Sequence, residues 1–173
     1  MTSAPSPDGR RIMVAVVTGE AGRRIQAWRE LHDPEQAHRL PPHATLCYWA
    51  PDVDEDELEQ QVLHAFQEPV LVKLGGVKRG DNDQRTFFVE LGETETLDRA
   101  LRQLYDGTHV EMPSLNGGWK WHVTCVRDSR ERDEAALWQA AESLQLGCEW
   151  RVRQVSYLQL CDDQYVELAS WSV

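Results

Sequence analysis

Leu40-Pro41-Pro42-His43-Ala44-Thr45-Leu46 and Trp121-His122-Val123-Thr124-Cys125 are the two stretches whose reading decides the fold. In each, a histidine and a threonine stand two positions apart among apolar residues. Side chains alternate along a strand, so His43 and Thr45 project from one face while Ala44 and Leu46 project from the other. His122 and Thr124 are related in the same way to Val123 and Cys125. An imidazole and a hydroxyl side by side over hydrocarbon make a reactive surface backed by a core. With six histidines in the chain, one such match is close to chance. The weight comes from where the two matches lie.

Working outward from them, residues 11–19 read as a strand, because Ile12, Val14, Val16 and Val17 are β-branched. Ile25, Trp28 and Leu31 recur at helical spacing until Asp33-Pro34 ends the pattern. Residues 40–49 are extended. Asp52 with Glu55 reads as the N-cap pair of a second helix lined by Leu58, Val62, Ala65 and Phe66. Residues 70–74 and 86–91 read as strands joined by a polar connector, 78–85, and Thr94 caps a helix carrying Leu97, Leu101, Leu104 and Tyr105. After a loop over 106–118, residues 119–127 are a strand, Leu137 to Leu144 a helix stopped at Gly147, and 150–160 and 165–173 two final strands. The second half repeats the element order of the first, and both His-x-Thr stretches fall on the same strand of the repeat. The expected organisation is a flexible N-terminus, 1–10, and one domain, 11–173, with pseudo-repeat lobes at about 11–80 and 84–173.

Composition narrows the function. The chain of 173 residues carries 18 Lys plus Arg against 29 Asp plus Glu, a net charge of −11. A surface that acidic repels a polyanion along its length, so duplex DNA is not an expected partner and long RNA could enter only by its end. Hydrophobic content of 41% with seven Trp fills a core and excludes disorder. The longest apolar run, 12–17, is too short to span a bilayer, and no membrane association or signal peptide is expected. Four cysteines without metal or disulfide spacing fit a reduced, cytoplasmic setting.

The two motifs and the element order resemble the 2H phosphoesterase superfamily, in particular its bacterial 2′-5′ RNA ligase-like members. The first stretch follows that family's pattern of proline, histidine, any residue, threonine, leucine. The second keeps His122 and Thr124 but has Trp121 where proline is common and Cys125 where an aliphatic residue is common. The resemblance covers about 11–173 by element order. It implies an α+β, bilobal, duplicated fold, with two mainly antiparallel sheets flanked by helices around a central cleft. It also implies hydrolysis of 2′,3′-cyclic phosphodiesters, at RNA ends or on small cyclic nucleotides, leaving a 2′-phosphate without metal or cofactor. His43 and His122 would be general base and general acid in either order, with Thr45 and Thr124 on the nonbridging oxygens. RNA ligation would be at most a reverse activity, and a monomer suffices.

Other candidates rest on parity and charge. Trp49 shares the parity of His43 and is a stacking candidate, whereas Tyr48 points the other way; Lys120 shares the parity of His122. Lys78, Arg79 and Arg85 of the connector could attract phosphate. Cys47 shares the face of His43, although the resemblance assigns it no role. Trp119 and Trp121 have core parity. No metal-ligand spacing is present. Three readings compete with hydrolysis of 2′,3′-cyclic ends: two histidines bonded inside the core, a nucleotide- or RNA-end-binding module without turnover, and a phosphodiesterase for another cyclic or 2′-5′-linked nucleotide.

Overall fold

The computed structural model describes residues 9–48, 54–106 and 121–173. Strand β1 (Arg11–Val16) is buried on both faces, with Met13 and Ala15 toward the helices and Ile12, Val14 and Val16 in a smaller cluster with Leu40 and Leu158. Helix α1 (Gly19–His32) carries the Ile25, Trp28 and Leu31 pattern and begins at Gly19, whose φ is +73°. A side chain at Gly22 would collide with the backbone oxygen of Val17, so only glycine lets α1 fold back this tightly onto β1.

Pro34 ends α1 as expected but also starts a second helix, α2 (Pro34–Arg39). Proline suits the first helical position, and the Asp33 side chain accepts from the Gln36 backbone N–H as N-cap. The chain continues through β2 (His43–Tyr48), α3 (Glu55–Ala65), β3 (Leu71–Arg79), β4 (Phe87–Gly92), α4 (Glu95–Asp106), β5 (His122–Val126), α5 (Glu134–Ala141), β6 (Cys148–Arg151), β7 (Gln154–Cys161) and β8 (Gln164–Ser172). The cap of α3 is Asp54, whose carboxylate accepts from the N–H groups of Asp56 and Glu57; Asp52 lies outside the described residues.

The strands pair antiparallel in the order β6-β3-β4-β5-β2-β1-β7-β8. This α+β assembly consists of two four-stranded halves joined at β2 and β5 by one ladder pair, Ala44 with Val123. The predicted strand over 150–160 divides between the halves. Val152 N–H bonds to Val70 O beside β3, and the next residue, Arg153, accepts from Val173 N–H beyond β8. In the same exchange β3 joins β4 and β5, while β7 and β8 return to β1, so the sheet halves do not coincide with the sequence lobes 11–80 and 84–173.

The main core lies between the sheet and α1, α3, α4 and α5. Ile25, Trp28, Leu58, Val62, Leu97, Leu101 and Leu137 meet Met13, Ala15, Ala44, Val89, Val123 and Val155 there. Each large aliphatic among them contributes about 1.5–3 kcal/mol on burial. The opposite face of β2 and β5 carries the two motifs.

Candidate active site

The single pair Ala44–Val123 fixes the geometry of the motif strands. Continuing that antiparallel register one step either side brings His43 level with Thr124 and Thr45 level with His122. Each histidine therefore neighbours the other motif's threonine. All four are half-buried, above Ala44 and Val123, which are fully buried. The site is polar, reachable and rigidly backed.

Both strands then bulge at the same point. Met13 pairs with Cys47 but Val14 pairs with Thr45, leaving Leu46 as an extra residue; Phe87 pairs with Val126 but Phe88 pairs with Thr124, leaving Cys125 as the extra one. In each motif the two residues after threonine are thus both turned into the core: Leu46, Cys47, Cys125 and Val126 are at most 4% exposed. This overturns two parity expectations. Cys47 does not share the face of His43; its thiol is buried beside Tyr105 and pushed up by burial, away from the thiolate a nucleophile needs. Tyr48 pairs with Ile12 and so lies on the face of His43, 47% exposed.

His43 Nδ1 lies 2.7 Å from Pro41 O, and since a carbonyl only accepts, Nδ1 carries the proton and Nε2 keeps its lone pair. Burial pushes the imidazole down to about 4; the charges of Arg29 and His122 add to this, and the Pro41 bond opposes it. His43 is accordingly neutral near pH 7. The His122 ring makes an edge contact with Phe88 at 5.4 Å between centroids. Phe88 is cross-strand from Thr124, and Glu90 is cross-strand from His122. Sequence reasoning missed Phe88 and Glu90, although the alternation of β4, with Phe87, Val89 and Leu91 in the core, assigns them to the motif face.

The structure separates the basic candidates. Lys78 pairs with Phe88 on the motif face, with its ammonium 2.6 Å from Glu90. Arg79 is cross-strand from core residue Phe87 and, with Arg85, binds the Glu134 carboxylate of α5 at 2.9 and 3.0 Å. Arg85 is therefore held by a carboxylate on the helix side. Trp121 is buried, with Nε1 donating to Asp98 at 2.5 Å. Trp49, Lys120 and Trp119 lie outside the described residues. Among the described residues no three His, Cys, Asp or Glu side chains cluster as they would around a metal, and no helix is long and apolar enough to cross a membrane.

Two antiparallel half-sheets with paired His-x-Thr strands at their junction define a 2H phosphoesterase. The chain belongs to the 2′-5′ RNA ligase superfamily, whose profile matches residues 18–164. Its fold is similar to that of TT0787 of Thermus thermophilus, with 17% identity, a TM-score of 0.62, and coverage of 94% of this chain and 97% of that one. E. coli LigT complexed with ATP aligns over 97% of this chain and 99% of its own, with 16% identity and a TM-score of 0.59. LigT complexed with 3′-AMP aligns over 96% and 98%, with 17% identity and a TM-score of 0.53. No curated protein sequence matches the chain.

Proposed function

We propose that this protein hydrolyses 2′,3′-cyclic phosphodiesters, at RNA ends or on small nucleotides, to the 2′-phosphate, without metal or cofactor. The observation that carries the reading is the antiparallel pair Ala44–Val123, which sets the two His-x-Thr strands side by side with His43, Thr45, His122 and Thr124 on the face opposite the core. A phosphate centred there meets a nitrogen base, a nitrogen acid and two hydroxyl donors. The nucleotides held by E. coli LigT, ATP and 3′-AMP, support a ligand of that size for this fold.

His43 is the base. Its Nδ1–H bond to Pro41 aims the Nε2 lone pair away from the backbone, and its lowered pKa keeps that lone pair free at neutral pH. Nε2 removes a proton from water as the water oxygen bonds to phosphorus. The bond from phosphorus to O3′ breaks, and His122, in its protonated form, gives its proton to O3′. Thr45 and Thr124 donate to the nonbridging oxygens, whose negative charge grows in the transition state. His43 leaves the turnover protonated and His122 neutral, and solvent exchange resets both. Each such acid or base contributes about 10²- to 10⁴-fold.

The test is the pH profile of kcat/KM for nucleoside 2′,3′-cyclic phosphates in excess EDTA. A bell with its acid limb at about 4, where His43 protonates, supports the assignment. An acid limb that persists in His43→Gln assigns the base elsewhere, and absence of turnover refutes the reading.

A further inference from the structure

The two motif strands share one ladder pair, Ala44 with Val123, and two buried charged residues, Arg29 and Asp33, lie between the segments that flank them. Arg29 lies on the buried stripe of α1 with Ile25 and Trp28 and is 1% exposed. Its Nη2 donates to Gln36 O at 2.8 Å and its Nη1 to Gln26 Oε1 at 3.3 Å, while Nε is buried without an acceptor. Asp33 is 3% exposed. One of its oxygens accepts from Arg127 N–H at 2.9 Å, and the other from Arg132 Nη2 at 3.1 Å and Gln36 N–H at 3.5 Å. Gln36 belongs to the helix that leads into Pro41, whose carbonyl fixes the His43 ring, and Arg127 is the first residue after β5. The two side chains thus grip the approach to one motif and the exit from the other. A guanidinium this deeply buried is destabilising unless its partners are well placed. An orphaned Nε means that hydrogen bonding alone does not account for it.

We propose that Arg29 and Asp33 are positioning residues, a buried clasp that sets the distance between the His43 and His122 strands and places a positive charge behind the phosphate-binding face. The proposal rests on the reading of that face as a phosphodiesterase site. The charged or titratable groups acting on His43 are Arg29 from α1 and His122 from β5. Those acting on Arg29 are Asp33 and Cys125, the latter a thiol pushed up to about 12 by burial and so uncharged at neutral pH. Asp33 is also paired with Arg132 at 3.1 Å, so the three charges of Arg29, Asp33 and Arg132 leave a net positive charge behind the site. Arg29 also makes His43 a poorer proton carrier in the resting protein, and both effects favour an anionic ligand meeting a neutral base.

The experiment follows the His43 imidazole by NMR titration in the wild type, Arg29→Met, Arg29→Lys and Asp33→Asn. The same proteins are assayed for kcat and KM on a nucleoside 2′,3′-cyclic phosphate. In Arg29→Met the His43 midpoint moves up, by about half a pH unit or more; in Arg29→Lys it stays near the wild type, and in Asp33→Asn it stays or moves down. kcat falls by about 10²-fold in Arg29→Met and Asp33→Asn with KM less affected, because the reacting groups are misplaced. Arg29→Lys recovers part of the rate. General loosening of the fold would move the titration the same way in Arg29→Met and Asp33→Asn, and that result overturns the proposal, as does an unmoved midpoint with unchanged kcat. If Arg29→Met does not fold, the loss of kcat in Asp33→Asn with an unraised midpoint, set against partial retention in Arg29→Lys, decides the matter. If the wild type turns over no cyclic substrate, the phosphodiesterase reading fails by itself and the titration still decides the clasp.

Discussion

His43 should make the fold acid-sensitive in a way that one substitution removes. Its folded pKa is lowered from 6.5 to about 4. As pH falls, the unfolded chain takes the proton first, so stability is full above 6.5 and is lost as pH drops through about 4. A span of about 2.5 pH units at 1.36 kcal/mol per unit gives about 3 kcal/mol, and the ring's partial exposure reduces this to about 2 kcal/mol. Glutamine in its place keeps a donor but cannot titrate. Urea unfolding of the wild type and His43→Gln between about pH 7.5 and pH 4.5 measures the difference. The stability gap should change by about 2 kcal/mol in favour of the variant on acidification, equivalent to about 1 M urea at a slope near 2 kcal/mol per M. Asp128 and Glu134, held below the usual carboxylate range by hydrogen bonds from Arg130 and from Arg85 respectively, lose their contributions only as pH falls below their ordinary values of 3.8 and 4.5, at or beyond the end of this range and equally in both proteins. Parallel curves for the two proteins would refute the burial argument for His43.

Three further outcomes follow from the packing. Thr45→Val and Thr124→Val should each lower kcat/KM on a cyclic nucleotide by about 10²- to 10³-fold with an unchanged melting temperature, because a donor is lost but not volume. Gly22→Ala should lower Tm, corresponding to about 1–3 kcal/mol, since its Cβ meets backbone rather than a movable side chain; an unchanged Tm would show that α1 can shift away from β1. Arg85→Ala should leave kcat/KM unchanged because its partner is Glu134 on the helix side, and a marked loss of activity would return it to the site.

What the sequence made legible follows from its periodicity. The β-branched run of β1, the apolar stripes of α3 and α4, and the alternation through His43-Ala44-Thr45 and His122-Val123-Thr124 each point to one structure. The bulges were not legible, because Leu46-Cys47 and Cys125-Val126 are apolar whichever face they take. Alternation counted past Thr45 therefore misassigned Cys47 and Tyr48. The crossing at Val152-Arg153 was hidden because residues 150–160 favour extended chain on both sides of it. Pro34 reads as a stop in sequence, although the same residue type starts a helix once Asp33 caps it. Arg29 carries a signal in the sequence: with Ile25 and Trp28 it falls on the buried stripe of α1, where a charge is expensive and calls for a reason.

The central claim is that two histidines on paired strands hydrolyse a cyclic phosphate. Its most direct test is the terminal phosphate formed when a short RNA ending in a 2′,3′-cyclic phosphate is incubated, in excess EDTA, with the wild type, His43→Ala and His122→Ala. The account predicts conversion to a 2′-phosphate by the wild type and its near-abolition in both variants. A 3′-phosphate product, or undiminished conversion by either variant, would contradict it.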